Sequence, residues 1–313
     1  MRPRVFLIGK NGQIGRELAQ MLGGTSELGA LGRQELDLTK PQCVRQAIRQ
    51  FQPHFILNAA AYTAVDNAER EEALAQSINA DAPAAMAEEA KKIGAALIHY
   101  STDYVFDGSK SSPYLEDDPT NPLSAYGRTK LAGERAIEAS GCLHLTFRTE
   151  WVYANQGKNF LMTILRLACE REDLRIVADQ IGAPTWSREI AAATVKIIMN
   201  EWRQTRGEDI FVGSSGIYHM TAAGQTSWFE FARAILDAVR GCPRRPSWLE
   251  AAIGNRPLMV KQVLPMATKD YVTAARRPAY SVLSNEKMKR VFGVNLPDWR
   301  IQLRTALGID QFE

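Results

Sequence analysis

The chain has 313 residues, 45% hydrophobic and 23% charged, with 38 basic and 35 acidic residues. Its length suits about two globular domains. A net charge of +3 with no massed basic run excludes a nucleic-acid footprint, and a mean hydropathy of −0.24 with no long apolar run excludes a membrane span. Met1-Arg2-Pro3-Arg4 leads into an apolar run too short for a signal peptide. Cys43, Cys142, Cys169 and Cys242 are scattered without metal-ligand spacing, so a reducing cytoplasm and no metal site are expected.

In chain order, Arg4–Ile8 reads as a strand buried on both faces, followed by a helix over Gln13–Leu22. Leu28–Leu31 reads as a second strand and Glu35–Leu38 as a short third. Pro41–Phe51 is a helix with proline in its first turn, and His54–Ala60 another buried strand. Ala80–Ile93 is a helix, Ala96–Val105 a strand running into a polar tip, Ser124–Ala139 a helix and Leu143–Val152 a strand. This alternation predicts an α/β fold, a doubly wound parallel sheet with right-handed crossovers. The second half is less regular. Helices are expected over Asn159–Cys169, Ser187–Glu201, Ser227–Val239, Ser284–Val291 and Pro297–Leu307. Extended segments are expected at Arg175–Ala178, Gly216–Ala222 and Leu258–Met266, and a loop at Cys242–Pro246. The expectation is a cofactor domain over 1–150 and a smaller, mixed substrate lobe over 151–313, with a strand near 216–222 returning to the sheet.

Gly9-Lys10-Asn11-Gly12-Gln13-Ile14-Gly15 lies between the first strand and the first helix. The three glycines permit a tight turn, close approach of backbone to a pyrophosphate, and packing of helix on strand, while the helix N-terminus offers free N–H groups. The expected ligand is a nicotinamide dinucleotide. Arg33 stands where an acidic residue would grip a ribose 2′-hydroxyl and instead suits a 2′-phosphate, so NADPH is favoured, with NADH possible. Asp37 and Leu38 are placed toward the adenine, and Ala59, Ala60 and Ala61 offer small residues beside a ribose.

Tyr126 and Lys130 are four residues apart on a predicted helix and share one face. A nearby ammonium stabilises a phenolate, which makes the tyrosine a proton donor for a carbonyl receiving hydride. Thr102, at a strand end some 25 residues earlier, supplies a hydroxyl to the same oxygen. Glycine turn, strand-end threonine and Tyr-x-x-x-Lys recur together in the order that a carbonyl reductase needs.

These motifs resemble the extended short-chain dehydrogenase/reductase superfamily, and within it the dTDP-4-dehydrorhamnose reductase family. The likeness continues in Asn58–Asp66, Ser101–Gly108, Tyr126–Glu134, Asp179–Thr185, Gly216–Met220, Thr226–Trp228 and Arg277–Ser281. It implies NADPH-dependent reduction of the C4 ketone of dTDP-4-dehydro-β-L-rhamnose. Tyr126 would be the general acid, Thr102 a hydrogen-bond partner of the oxygen, and Lys130 would lower the phenol pKa and fix the ribose. Val65, Asp103, Tyr104 and Trp151 would line the sugar pocket, and Arg256, Arg276 or Arg277 would meet the diphosphate. Other readings are a related dTDP-4-keto-6-deoxyhexose reductase, and a non-catalytic NADP-binding regulatory subunit similar to the methionine adenosyltransferase beta subunit.

Two positions depart from the family pattern. Some members dimerise through a magnesium ion held by acidic side chains. Glu17 matches one of these, but Arg188 and Ala192 stand at the others and cannot ligate a cation, while Glu189 belongs to another helical face. A monomer or weak homodimer without a magnesium bridge is therefore expected. Glu150 stands before Trp151 where a small residue is expected, and a carboxylate there must be paired or turned away from a diphosphate.

Overall fold

The computed structural model describes residues 2–241, 246–254 and 256–309. Six parallel strands form the central sheet: β1 (Arg4–Ile8), β2 (Glu27–Leu31), β3 (Phe55–Asn58), β4 (Ala96–Thr102), β5 (His144–Thr149) and β6 (Gly216–His219). Their spatial order is β6-β5-β4-β3-β1-β2. The order reverses between β1 and β3, which opens a crevice at their carboxyl ends.

The strands are apolar throughout because the sheet is covered on both faces. Val5 and Leu7 join a core with Leu18 and Leu22 of α1 (Gln13–Leu22), while Phe6 and Ile8 join another with Val44 and Ile48 of α2 (Pro41–Phe51). Alternate side chains of β3 and β4 divide in the same way. Helices α3 (Ala82–Ile93) and α4 (Ala125–Ser140) complete the α2 layer.

The second half serves two cores. Beyond α5 (Phe160–Ala168), helix α6 (Ser187–Thr205) packs on α1, and its Ile190, Ile197 and Ile198 join the sheet core with Tyr218 of β6. A separate core gathers Tyr153, Leu161 and Leu165 with Phe231 and Leu236 of α7 (Trp228–Gly241) and Trp299 and Leu303 of α8 (Trp299–Ala306). No helix among the described residues is long and apolar enough to cross a membrane.

Several boundaries differ from the sequence reading. Glu35–Leu38 is not a strand but irregular chain between two turns. The predicted Leu143–Val152 strand breaks after Thr149, because Trp151 takes a left-handed φ of 46° before the short strand Val152–Tyr153. A π-helical turn, Ser77–Asp81, precedes α3, and the expected strand at 216–222 ends at His219. Short helices at Val65–Ala68, Glu72–Gln76 and Ser247–Ile253 were not foreseen. The predicted Cys242–Pro246 loop falls largely outside the described residues, which resume at Pro246.

Candidate active site

The glycine turn follows β1. Gly9 has a φ of +93°, and a Cβ on it would stand 2.7 Å from the Ala60 nitrogen. A Cβ on Gly15 would meet the Gly9 carbonyl oxygen. Gly12 differs: it is exposed, its φ of −73° suits any residue, and a Cβ there would come no nearer than 3.3 Å to the protein. Its small size leaves room for a group arriving from outside the chain. Helix α1 starts there with no side-chain cap and no acidic residue in its first turn, so its N–H groups and dipole suit an anion. Asn11 lies against Gly32, Gln13 reaches the Val152 carbonyl at 3.3 Å, and Ile14 packs on the sheet core. Ala59, Ala60 and Ala61 form the opposite, partly exposed wall. The crevice therefore fits a dinucleotide.

Arg33 is exposed in the turn after β2. The carboxylate that follows it, Glu35, is engaged by the Gly32 N–H at 2.7 Å and by Lys10 Nζ at 2.6 Å. Asp37 turns its carboxylate to Thr39, accepting from its N–H at 3.0 Å and its hydroxyl at 2.7 Å, and Leu38 packs on the α2-side core.

Thr102 and Tyr126, the residues expected to be catalytic, converge where β4 ends. Thr102 closes the strand, and its Oγ1 donates to Asp103 Oδ1 at 2.9 Å and accepts from the Tyr104 N–H at 3.2 Å. Tyr126 is the second residue of α4, whose N-terminus Ser124 caps by accepting from the Gly127 N–H at 3.2 Å. A Cβ on Gly127 would collide with the Tyr104 carbonyl oxygen, so glycine is what lets this helix end settle onto the Thr102–Tyr104 turn. The Tyr104 and Tyr126 rings meet edge to face with centroids 5.6 Å apart. Burial raises the Tyr126 phenol above its ordinary pKa, a Thr102 hydrogen bond opposes the rise, and the Asp103 charge adds to it.

Lys130 takes a place other than the one expected. Its side chain is buried, with Nζ donating to the Tyr100 carbonyl at 2.6 Å and lying 3.1 Å from His99 Nε2. The expected lowering of the Tyr126 pKa by Lys130 does not follow from this geometry, because burial dominates and the ammonium is engaged beneath the crevice. Burial pulls Lys130 down to about 8, against the opposing effect of Glu134. Burial and the Lys130 charge together keep His99 well below its ordinary value.

Of the residues expected to line a sugar pocket, Asp103 and Tyr104 follow Thr102 directly, and Val65 opens the short Val65–Ala68 helix. The next residue, Asp66, binds Arg277 Nη2 at 2.8 Å and the Ala275 N–H at 3.1 Å, drawing the 275–283 segment alongside. Arg276 is exposed, and Arg256 lies 3.8 Å from Glu170 and donates to the Ile253 carbonyl. Trp151 stacks on Trp228, with centroids 3.6 Å apart and planes 9° from parallel. Sequence reasoning placed Trp228 and Ser281 in motifs without giving either a role, since only tertiary folding brings them to β5. At α1, Arg188 Nη1 lies 4.0 Å from Glu17 Oε2, and no cluster of three metal-type side chains occurs among the described residues.

The switch-point crevice and the Thr-Tyr-Lys set together define an NAD(P)-dependent reductase of the extended short-chain type. A family model described as the RmlD substrate binding domain matches residues 3–311, and the chain belongs to this family, that of the dTDP-4-dehydrorhamnose reductases. The Burkholderia thailandensis dTDP-4-dehydrorhamnose reductase is 49% identical over 297 residues, 95% of each chain. The enzyme of that name from Escherichia coli K12 is 40% identical over 97% of each chain. The solved structure of the Bacillus anthracis dTDP-4-dehydrorhamnose reductase in complex with NADP superposes with a TM-score of 0.84 at 33% identity, covering 99% of this chain and all of that one.

Proposed function

We propose that the chain reduces the C4 ketone of dTDP-4-dehydro-β-L-rhamnose to the alcohol with NADPH. The observation that carries this reading is the Thr102–Tyr126 pair at the β4 end, beside a crevice shaped for a dinucleotide. Gly9, Asn11, Gly12, Gln13, Ile14 and Gly15 would hold the pyrophosphate. Arg33, Asp37 and Leu38 would flank the adenosine end, with Ala59, Ala60 and Ala61 along the ribose. When bound, the nicotinamide supplies the hydride. Tyr126 donates its phenolic proton to the C4 oxygen, and Thr102 donates a hydrogen bond to the same atom. Lys130 keeps the floor of the site cationic beneath the nicotinamide ribose, held by Tyr100 and His99.

Val65, Asp103, Tyr104 and Trp151 would line the sugar pocket, with Trp228 behind Trp151. Among the three arginines considered, Arg277 is the one beside Tyr104, so we assign the diphosphate to it. A cofactor part over 1–150 and a substrate lobe mainly over 151–313 go with this reading, with β6 joining the central sheet and α6 packing on α1. The free thiols Cys43 and Cys142 support a reducing, cytoplasmic setting.

The test is NADPH oxidation by purified protein given an epimerised dTDP-4-keto-6-deoxyglucose mixture. Substrate-dependent loss of NADPH absorbance is expected; its absence would favour the regulatory-subunit reading. In the same assay, Arg33→Ala should lower kcat/KM for NADPH about tenfold relative to NADH, the size of one lost charged hydrogen bond. An unchanged preference would remove Arg33 from the 2′-phosphate site. We also propose that the protein forms no magnesium-bridged dimer, because Arg188 faces Glu17 where a cation would bind. Sedimentation equilibrium should give the same mass with and without chelator, and a magnesium-dependent dimer would refute this.

A further inference from the structure

After the strand Gln262–Met266 the chain returns to the site through residues 267–277. Both ends of this stretch are fixed. Thr268 gives its N–H to the Asp179 carboxylate at 2.9 and 3.0 Å and its hydroxyl to the same group at 2.6 Å. Gln180 Nε2 donates to that hydroxyl at 3.1 Å. Asp179 and Gln180 open a motif for which the reaction itself provides no role. At the other end, Asp66 accepts from the Ala275 N–H at 3.1 Å and from Arg277 Nη2 at 2.8 Å. In between, the 3-10 turn Thr268–Asp270 is followed by a bond from the Tyr271 N–H to the Thr268 carbonyl at 3.0 Å, and Thr273 Oγ1 donates to the Ala275 carbonyl at 3.0 Å.

This braced loop holds two large apolar side chains in water. Tyr271 is 52% exposed and Val272 94%. Seven large hydrophobic residues are exposed among the described ones, and only these two are consecutive in the chain. A single exposed apolar residue is ordinary, whereas an adjoining pair on a fixed loop beside a binding site is surface that a ligand can cover.

The surroundings of the loop point to the ligand. The Tyr126 and Tyr104 rings meet edge to face at the β4 end. Tyr104 and Tyr271 both lie near the Arg277 guanidinium. Exposure rises along this run, from the half-buried Tyr104, through an Arg277 side chain 19% exposed, to Tyr271 at the surface. A sugar nucleotide carries its parts in a matching order. Its ketone belongs at Tyr126, its diphosphate suits the guanidinium, and the group beyond the diphosphate is the nucleoside. A base presents a flat π-face, which an aromatic side chain binds by stacking. Resting on the reductase reading and its assignment of Arg277, we propose that Tyr271, with Val272 beside it, is the platform on which the pyrimidine base of the substrate stacks. The Asp179–Thr268 bonds brace that platform.

The test uses dTDP, which has the base and the diphosphate but no ketone, titrated into protein saturated with NADP+. Tyr271→Ala should weaken dTDP binding about tenfold, and Tyr271→Phe, which keeps the ring and loses the hydroxyl, should bind it like wild type. Proton NMR separates stacking from an indirect effect through Arg277. The thymine methyl resonance should move upfield on binding to wild type and to Tyr271→Phe, under the ring current of the side chain at 271, and this shift should be lost in Tyr271→Ala. Unchanged dTDP affinity in Tyr271→Ala overturns the proposal. So does a loss in Tyr271→Phe equal to that in Tyr271→Ala, or a methyl shift that Tyr271→Ala retains, or wild type that does not bind dTDP. The titration requires no turnover. A sugar nucleotide that fails to oxidise NADPH while dTDP binds as expected counts against the reductase reading and leaves the base platform supported.

Discussion

Tyr126→Phe is expected to lower kcat by about 10²- to 10⁴-fold while leaving NADPH binding nearly intact. The substitution removes one oxygen and keeps the ring, so the edge-to-face contact with Tyr104 and the seating of α4 at Gly127 are preserved. What disappears is the proposed proton donor. Burial and the Asp103 charge hold the phenol above its ordinary pKa, so it is fully protonated at neutral pH and acts as an acid rather than as a phenolate. Single-turnover NADPH oxidation, paired with a fluorescence titration of NADPH binding, separates the two effects. Turnover retained within a few-fold of wild type would take the acid role from Tyr126 and leave Thr102 as the sole donor.

The parts of this protein legible in the sequence are those written locally. The β1–glycine turn–α1 unit is fixed by neighbouring residues, and the predicted bounds Gln13–Leu22 and Pro41–Phe51 are the observed ones. Where the reading failed, a side chain competed with the backbone ladder. Leu36 and Leu38 alternate like a strand, yet Glu35 takes the Gly32 N–H and Asp37 takes the Thr39 N–H, closing turns there. The strand through 143–152 ended early because Trp151 turns left-handed to stack on Trp228, a partner 77 positions further along the chain. The Tyr-x-x-x-Lys spacing correctly put both residues on one helix, but not where the lysine ends. That depends on how α4 lies over β4, where the Tyr100 carbonyl and His99 receive it. Glu150 stood out in the sequence as out of place, but its burial beside the β4 end and its bond to Ser281 became readable only through the β4–β5 register and the return of the 275–283 segment.

Glu134→Ala is expected to destabilise the fold by about 3–5 kcal/mol, the cost of leaving a buried charge without its partner. Glu134 lies on α4, two turns beyond Tyr126, and Arg148 lies on β5. Arg148 Nε donates to both Glu134 oxygens at 3.1 and 3.2 Å, and Nη2 donates at 2.7 Å. The two side chains are 3% and 1% exposed. The guanidinium also donates to the Glu116 carbonyl at 3.2 Å and lies 5.1 Å from the Phe106 ring centroid. Urea unfolding measures the loss. The double variant Glu134→Gln/Arg148→Met should recover much of it, because a neutral amide and a thioether leave no unpaired charge behind. The pair also couples stability to catalysis, since it fixes the helix that carries Tyr126 and Lys130 to the sheet that carries Thr102. A loss in Glu134→Ala below about 1 kcal/mol would mean that the pair is solvated like a surface bridge, and that α4 is held to the sheet by its apolar face alone.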